Sequence, residues 1–403
     1  MDILQIKQIL KTALFTPGLN GRWGLPILFW GKPGVGKSRV IEVEGRRLGL
    51  QVQTLIASIR EPSDFGGLPI PKMIGKKTLV EYAAPAWAVD LDISSNGQAI
   101  VFIDEISTVS PLIQAALLRM ILDGALGDYV FPPGVRFLAA ANPTEDAAGG
   151  WDIAAPLANR FGHVAWDVPS SADWVDWLLG DGGSYSDTDV GVDAASAEEA
   201  FVMARWDDAF AAAKGLVAGF IQARPDLLFK MPEYGSAALS RAWASPRSWE
   251  LATRALAGAG VHRLSGSLTD DLFATFVGDG ISAEFLTFRN GFTLPNPADI
   301  LDGVVAFEHE AIRLDRTVAI LAACLAVVVG PRCYNLDARV NRLWGILEEL
   351  LAQAADLTVS TARVLVRKRL HLNAGAAAAN PVLVKLQPVL KAANVGVTRE
   401  KDV

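Results

Sequence analysis

Gly31-Lys32-Pro33-Gly34-Val35-Gly36-Lys37-Ser38 is the stretch whose reading decides the fold. It meets the phosphate-binding pattern G-x-x-x-x-G-K-[ST] at every fixed position. Pro26-Ile27-Leu28-Phe29-Trp30, just before it, is apolar and reads as a buried strand. Arg39 to Leu48, just after it, reads as a helix with Val40, Ile41 and Val43 among its apolar positions. Strand, glycine loop and helix together turn a pattern into a site. The glycines let backbone N–H groups converge on phosphate oxygens, and the new helix points its positive end at the same anion. Lys37 then reaches the β- and γ-phosphates, and Ser38 offers a hydroxyl to Mg²⁺. The competing reading is a chance Gly-rich turn, which four fixed positions and correct flanks disfavour.

Working outward, the run Ala99-Ile100-Val101-Phe102-Ile103-Asp104-Glu105 is an apolar strand ending in two acids. A parallel core strand delivers its last residues to the crevice where ligands sit. Asp104 is therefore expected to hold Mg²⁺ and Glu105 to activate the attacking water as general base. Val135 to Ala141 is another buried strand and ends in Asn142-Pro143. Asn before Pro is a turn signal in its own right. In this order along the chain, Asn142 is also placed to orient the lytic water beside Asp104 and Glu105. Arg160, in Pro156-Leu157-Ala158-Asn159-Arg160-Phe161, reads either as a capping or salt-bridge arginine or as an arginine finger for a neighbouring subunit. Ser245-Pro246-Arg247 fits a helix start, with a cation in the first turn that opposes the helix dipole. Arg247 is either a surface arginine paired with an acid or a residue compensated by a bound γ-phosphate of its own subunit.

Composition bounds the rest. The chain has 403 residues, 51% hydrophobic and 20% charged, so a sizeable core in about two to three domains is expected. Mean hydropathy is +0.28, yet the longest smooth apolar run, Val318 to Val329, is too short for a bilayer and reads as a buried helix. No signal peptide is read in Met1 to Leu14, whose apolar residues recur at helical spacing, so a cytoplasmic protein with no membrane partner is expected. The net charge of −7 argues against a nucleic-acid partner, which needs clustered Lys and Arg. Cys324, Cys333 and the four histidines show no metal-ligand spacing, and the cysteines read as buried thiols rather than a disulfide.

Further elements are read in order. Gln51 to Ile56 is a second strand, Arg60 to Gly67 a polar loop and Met73 to Glu81 a short hairpin or insertion. Pro111 to Leu122 is a helix, Asp123 to Pro133 a hairpin and His163 to Val168 a final strand. Gly180 to Ala194 is a Gly/Ser/Asp-rich loop. Ala197 to Ala257 is helical with interruptions near Pro225 and Pro232, and Ala298 to about Leu390 is a further helical module with a frayed tail after Ala393.

The ordered set of phosphate loop, Asp104-Glu105, Asn142, Arg160 and Arg247 resembles the AAA+ ATPases, and in detail the MoxR-type branch. The insertion at Met73 to Glu81 and the hairpin at Asp123 to Pro133 occupy places where that branch carries such elements. Pro62-Ser63-Asp64-Phe65-Gly66-Gly67-Leu68-Pro69, Ala116-Leu117-Leu118-Arg119-Met120 and Ser245-Pro246-Arg247 are also similar to it. The resemblance runs from about Leu25 to Gly258. It implies an α/β nucleotide-binding domain over 1–169, a helical lid over 170–290 and a C-terminal helical extension over 291–403. It implies ATP and Mg²⁺ as ligands. The residues concerned are Gly31, Lys32, Pro33, Gly34, Val35, Gly36, Lys37, Ser38 and Asp104 for binding, and Glu105, Asn142, Arg160 and Arg247 for hydrolysis. It further implies a hexameric ring that remodels a partner carrying a von Willebrand factor A domain. The weighed alternatives are a nucleic-acid-linked or restriction-type ring NTPase, a small-molecule phosphotransferase, and a scaffold that binds nucleotide without turnover.

Overall fold

The computed structural model describes residues 1–143, 151–179, 193–291 and 294–370, with Lys385 and Pro388. The chain divides into two compact units, Met1–Ala204 with Leu228–Ser282, and Arg205–Leu227 with Ala283–Val403. The boundaries expected after 169 and 290 do not fall at this division.

The first unit begins with helix α1 (Ile3–Leu14). Asp2 accepts from the Gln5 amide and the Gln5 side chain accepts from the Asp2 amide, which closes the helix start as a capping box. Strand β1 (Ile27–Trp30), helix α2 (Lys37–Arg47), strand β2 (Gln51–Ile56) and the short helix α3 (Ser63–Gly66) follow. Hairpin β3 (Leu68–Ile74) and β4 (Lys77–Ala83) leads to helix α4 (Ala86–Ser95), strand β5 (Ala99–Asp104) and helix α5 (Pro111–Asp123). A small hairpin, β6 (Ala125–Leu126) and β7 (Tyr129–Val130), precedes strand β8 (Val135–Ala141). Helix α6 (Ala155–Ala158), strand β9 (Gly162–Ala165) and helix α7 (Ser171–Leu179) complete this part.

Strands β2, β5, β8, β1 and β9 form a five-stranded sheet in that order, and every neighbouring pair is parallel. β1 and β8 are buried throughout and β5 up to Asp104. Both faces are therefore covered, which is why these strands read as continuous apolar runs rather than alternating ones. This is the α/β architecture with flanking helices expected from the glycine loop. Helix α8 (Ala194–Ala223) begins in the first unit and continues into the second. Helices α9 (Pro246–His262) and α10 (Gly266–Val277) pack on each other, on α1 and, through α10, on β9, all within the first unit.

The second unit contains the rest of α8, with α11 (Asp279–Asn290, from Ala283 on), α12 (Pro297–Leu301), α13 (Leu314–Val328), α14 (Leu336–Leu351) and α15 (Ala355–Arg367). Its core includes Ile300, Ile320, Leu343, Trp344 and Leu365. Gly215 lets α8 approach α13 closely, since a Cβ there would sit 2.4 Å from the Ala323 Cβ. Cys324 is buried and Cys333 half-buried, and both are free thiols.

Several expectations shift in detail. The first hairpin is longer than Met73 to Glu81, and the final strand shorter than His163 to Val168. The polar loop from Arg60 holds α3, because Phe65 turns inward and is buried. All of Gly180 to Ala194 except its last two residues, and the tail after Ala393, lie outside the described residues.

Candidate active site

Three neighbouring strands, β5, β8 and β1, end side by side, and the candidate residues follow those ends. Gly34 (φ +80°) and Gly36 (φ +92°) adopt left-handed backbone that a Cβ would strain, and Gly36 caps the start of α2. The loop is tied to the sheet where the Gly31 amide donates to the Ala141 carbonyl at 3.2 Å. Lys37 is buried. Its Nζ donates to the carbonyls of Gly31 (2.6 Å) and Lys32 (3.0 Å) and to Oδ1 of Asn142 (3.0 Å). Burial pulls its pKa below the ordinary lysine value, and the nearby Asp104 carboxylate pulls the other way.

Ser38 Oγ donates to Asp104 Oδ2 at 2.5 Å, and the Glu105 amide donates to Asp104 Oδ1 at 2.9 Å. A hydroxyl beside a carboxylate is a pair of hard oxygen donors, the chemistry magnesium takes. Ser38 and Asp104 therefore fit that ion. Among the described residues, no cluster of three or more His, Cys, Asp or Glu forms a metal centre. Glu105 is held at φ +58°, an uncommon backbone for a side chain of its size. Its carbonyl accepts from the Thr108 amide (3.0 Å) and hydroxyl (2.8 Å), and Ser58 Oγ donates to its carboxylate at 2.5 Å. Asn142 is braced by Ser107, whose hydroxyl exchanges 3.3 Å hydrogen bonds with the Asn142 amide and carbonyl.

Sequence reasoning singled out neither Ser58 nor Ser107. Each is an isolated serine in a turn. The signal for Ser58 is that it lies two residues beyond Ile56, the register partner of Asp104, and register is visible only in the sheet.

The two arginines lie elsewhere. Arg160 follows α6, just ahead of β9, and Arg247 occupies the first turn of α9, which has Ser245 as N-cap and Pro246 at its first position. Both line one cleft with Arg22, Trp23, Pro26 and Leu251. Pro26 immediately precedes β1, so this cleft is at the amino edge of the sheet. The four residues of β1, at about 3.3 Å each, put roughly 13 Å between that edge and Gly31. Arg247 thus lines the cleft at the amino edge, while Lys37 stands at the carboxyl edge. The start of α9 is bonded to the end of α6, where Ser245 Oγ donates to Asn159 Oδ1 at 2.6 Å. Arg160 donates to the Pro156 carbonyl, and its buried Nε has no partner among the described residues. Burial lowers the Arg160 pKa and the charge of Arg247 adds to this, with Asp123 opposing. Arg247 makes no ion pair among the described residues.

Between the two edges runs a buried polar relay. The Trp30 indole N–H, which can only donate, bonds His163 Nδ1 at 2.9 Å. That fixes the neutral tautomer, with Nε2–H donating to the Ala158 carbonyl at 2.9 Å. The Arg241 guanidinium stacks on the Trp30 ring, 3.4 Å from its centre. Burial first, and the charge of Arg241 as well, push the His163 pKa down to about 4.

No family model and no curated protein matches this chain. Among solved structures it is similar to a "putative ATPase" from Cytophaga hutchinsonii, with 14% identity over 70% of this chain and 88% of that one, at a TM-score of 0.44. Among the described residues, no helix is long and apolar enough to cross a membrane.

Proposed function

We propose that this chain is a magnesium-dependent ATPase of the MoxR type that works as a ring of like subunits and remodels a partner protein. The observation that carries the hydrolytic reading is the convergence of Lys37, Ser38, Asp104, Glu105 and Asn142 on the ends of β1, β8 and β5. Backbone amides of Gly34 to Ser38 cradle the phosphates, and Lys37 exchanges its carbonyl partners for β- and γ-oxygens. Ser38 and Asp104 would hold magnesium, which would supply charge neutralisation for the phosphates. Glu105 takes a proton from the attacking water, and Asn142 holds either that water or the γ-phosphate beside Lys37.

Arg160 and Arg247 line a cleft at the opposite edge of the sheet from their own loop. Cations at the amino edge that form no ion pair among the described residues suit the γ-phosphate of an adjacent subunit, where charge stabilisation acts at contact distance. This supports a ring in which each interface joins one subunit's phosphate loop to the next subunit's arginines. The hexameric count and a von Willebrand factor A partner follow from the family resemblance alone.

The test is phosphate release by the purified chain with ATP, with and without magnesium, alongside calorimetry of Mg-ATP binding. Wild type is expected to hydrolyse ATP only with magnesium, and Lys37→Ala to lose tight binding. Wild-type affinity retained in Lys37→Ala would remove the phosphate-loop assignment.

A further inference from the structure

From the contacts of α6 and α9 we infer that Asn159 is a positioning residue that fixes Arg160 and Arg247 as one unit facing the neighbouring subunit's nucleotide. The inference rests on the ATPase reading above and assigns a role to a residue that this reading leaves unused. Asn159 is only 5% exposed. Its Nδ2 donates to the Trp243 carbonyl at 2.9 Å, and its Oδ1 accepts from Ser245 Oγ at 2.6 Å. Ser245 in turn caps α9 by accepting from the Ser248 amide at 3.2 Å, and Ser248 Oγ donates to the same Trp243 carbonyl at 2.9 Å. One amide thus spans from the residue before Arg160 to the cap two residues before Arg247.

Those arginines repel each other, and no ion pair among the described residues joins either to an acid. Something neutral must hold them close. An amide is matched to the task because it donates to a carbonyl and accepts from a hydroxyl at once. A carboxylate could not donate to Trp243, and its charge would compete for the guanidinium groups. A neutral bridge leaves both cations available to an incoming anion.

The experiment measures ATP affinity, kcat and KM for Asn159→Ala, then phosphate release in mixtures of variants. ATP affinity and KM are expected to stay within twofold of wild type while kcat falls by about 10- to 100-fold, the scale of misplacing a catalytic group by an ångström. Mixed with Lys37→Ala, whose arginines are intact, Asn159→Ala should exceed the average of the two pure variants. Mixed with Arg160→Ala it should not, because both lack a working arginine unit. A general loss of structure would not choose between those mixing partners. Wild-type turnover in Asn159→Ala, equal rescue by either partner, or no rescue by either overturns the positioning role. A wild-type chain without ATPase activity overturns the parent reading instead. If Asn159→Ala lacks a cooperative thermal transition, Ser245→Ala decides. It should keep ATP affinity and lose about fivefold in kcat, the worth of one hydrogen bond, and unchanged turnover overturns the inference.

Discussion

At the carboxyl edge of the sheet, Lys37, Ser38, Asp104 and Asn142 hydrogen-bond directly among themselves in Lys37–Asn142 and Ser38–Asp104 pairs, so cation, hydroxyl, amide and acid balance one another. At the amino edge, Arg247 sits close enough for its charge to help lower the Arg160 pKa, and no ion pair among the described residues holds either arginine. The first edge is internally satisfied and takes a ligand by exchanging partners. The second carries surplus positive charge and needs an anion from outside. On the function proposed above, a domain built this way would separate holding a nucleotide from completing the reaction.

The largest expected effect tests that separation. Arg160→Ala should bind Mg-ATP like wild type and lose about 10³-fold in turnover, the lower end of arginine-finger effects. Calorimetry and steady-state phosphate release measure the two quantities separately. Loss of ATP binding in Arg160→Ala would merge the two edges into one site.

A second expectation concerns the relay between the edges. Folded His163 titrates near 4, against 6.5 when unfolded, so the unfolded chain binds a proton that the folded chain refuses between those values. Stability should therefore fall as pH drops from about 6.5 to 4, by up to about 3 kcal/mol, and this contribution should level off below that window. Denaturant melts of wild type and His163→Gln across that range measure it. An equally steep loss in the variant would assign the effect to other groups.

Glu105→Gln should keep ATP affinity and slow hydrolysis by about 10²-fold, the usual scale for a general base. This effect belongs to the carboxyl edge alone, so mixing with Arg160→Ala should restore turnover at interfaces where an intact Glu105 meets an intact Arg160. Turnover equal to wild type would put the base elsewhere. The smallest effect is that of Ser58→Ala, which removes one hydrogen bond to the Glu105 carboxylate. It should change kcat by no more than about tenfold and leave binding untouched, in line with about 1 kcal/mol per hydrogen bond. A change in ATP affinity would show that Ser58 acts on the phosphate loop as well.

The carboxyl edge was legible because its parts are local. Gln51 to Ile56 and Val135 to Ala141 are strands over the expected residues, and α5 ends one residue later than read. Val135 to Ala141 is apolar because it is buried throughout, whereas Gln51 to Ile56, at the sheet edge, reads by its alternation of polar and apolar residues. The glycine loop and the acids at the end of β5 are likewise contiguous. Ser58, Ser107 and Asn159 were not legible. Their roles depend on partners distant in sequence: 47 residues for Ser58 with Glu105, 35 for Ser107 with Asn142 and 86 for Asn159 with Ser245.

The sequence by itself determined the phosphate loop, the strands that flank it, the acid pair and the helix start at Ser245-Pro246, since each is set by backbone sterics and hydrophobic pattern over a few residues. Only the tertiary structure decided that α9 and α10 pack with the parallel sheet in one unit, and that Arg247 stands beside Arg160 rather than over Lys37. The physical reason is that the strand order and the Asn159–Ser245 bond join segments far apart in the chain. No local pattern records which of several edges a helix start will reach.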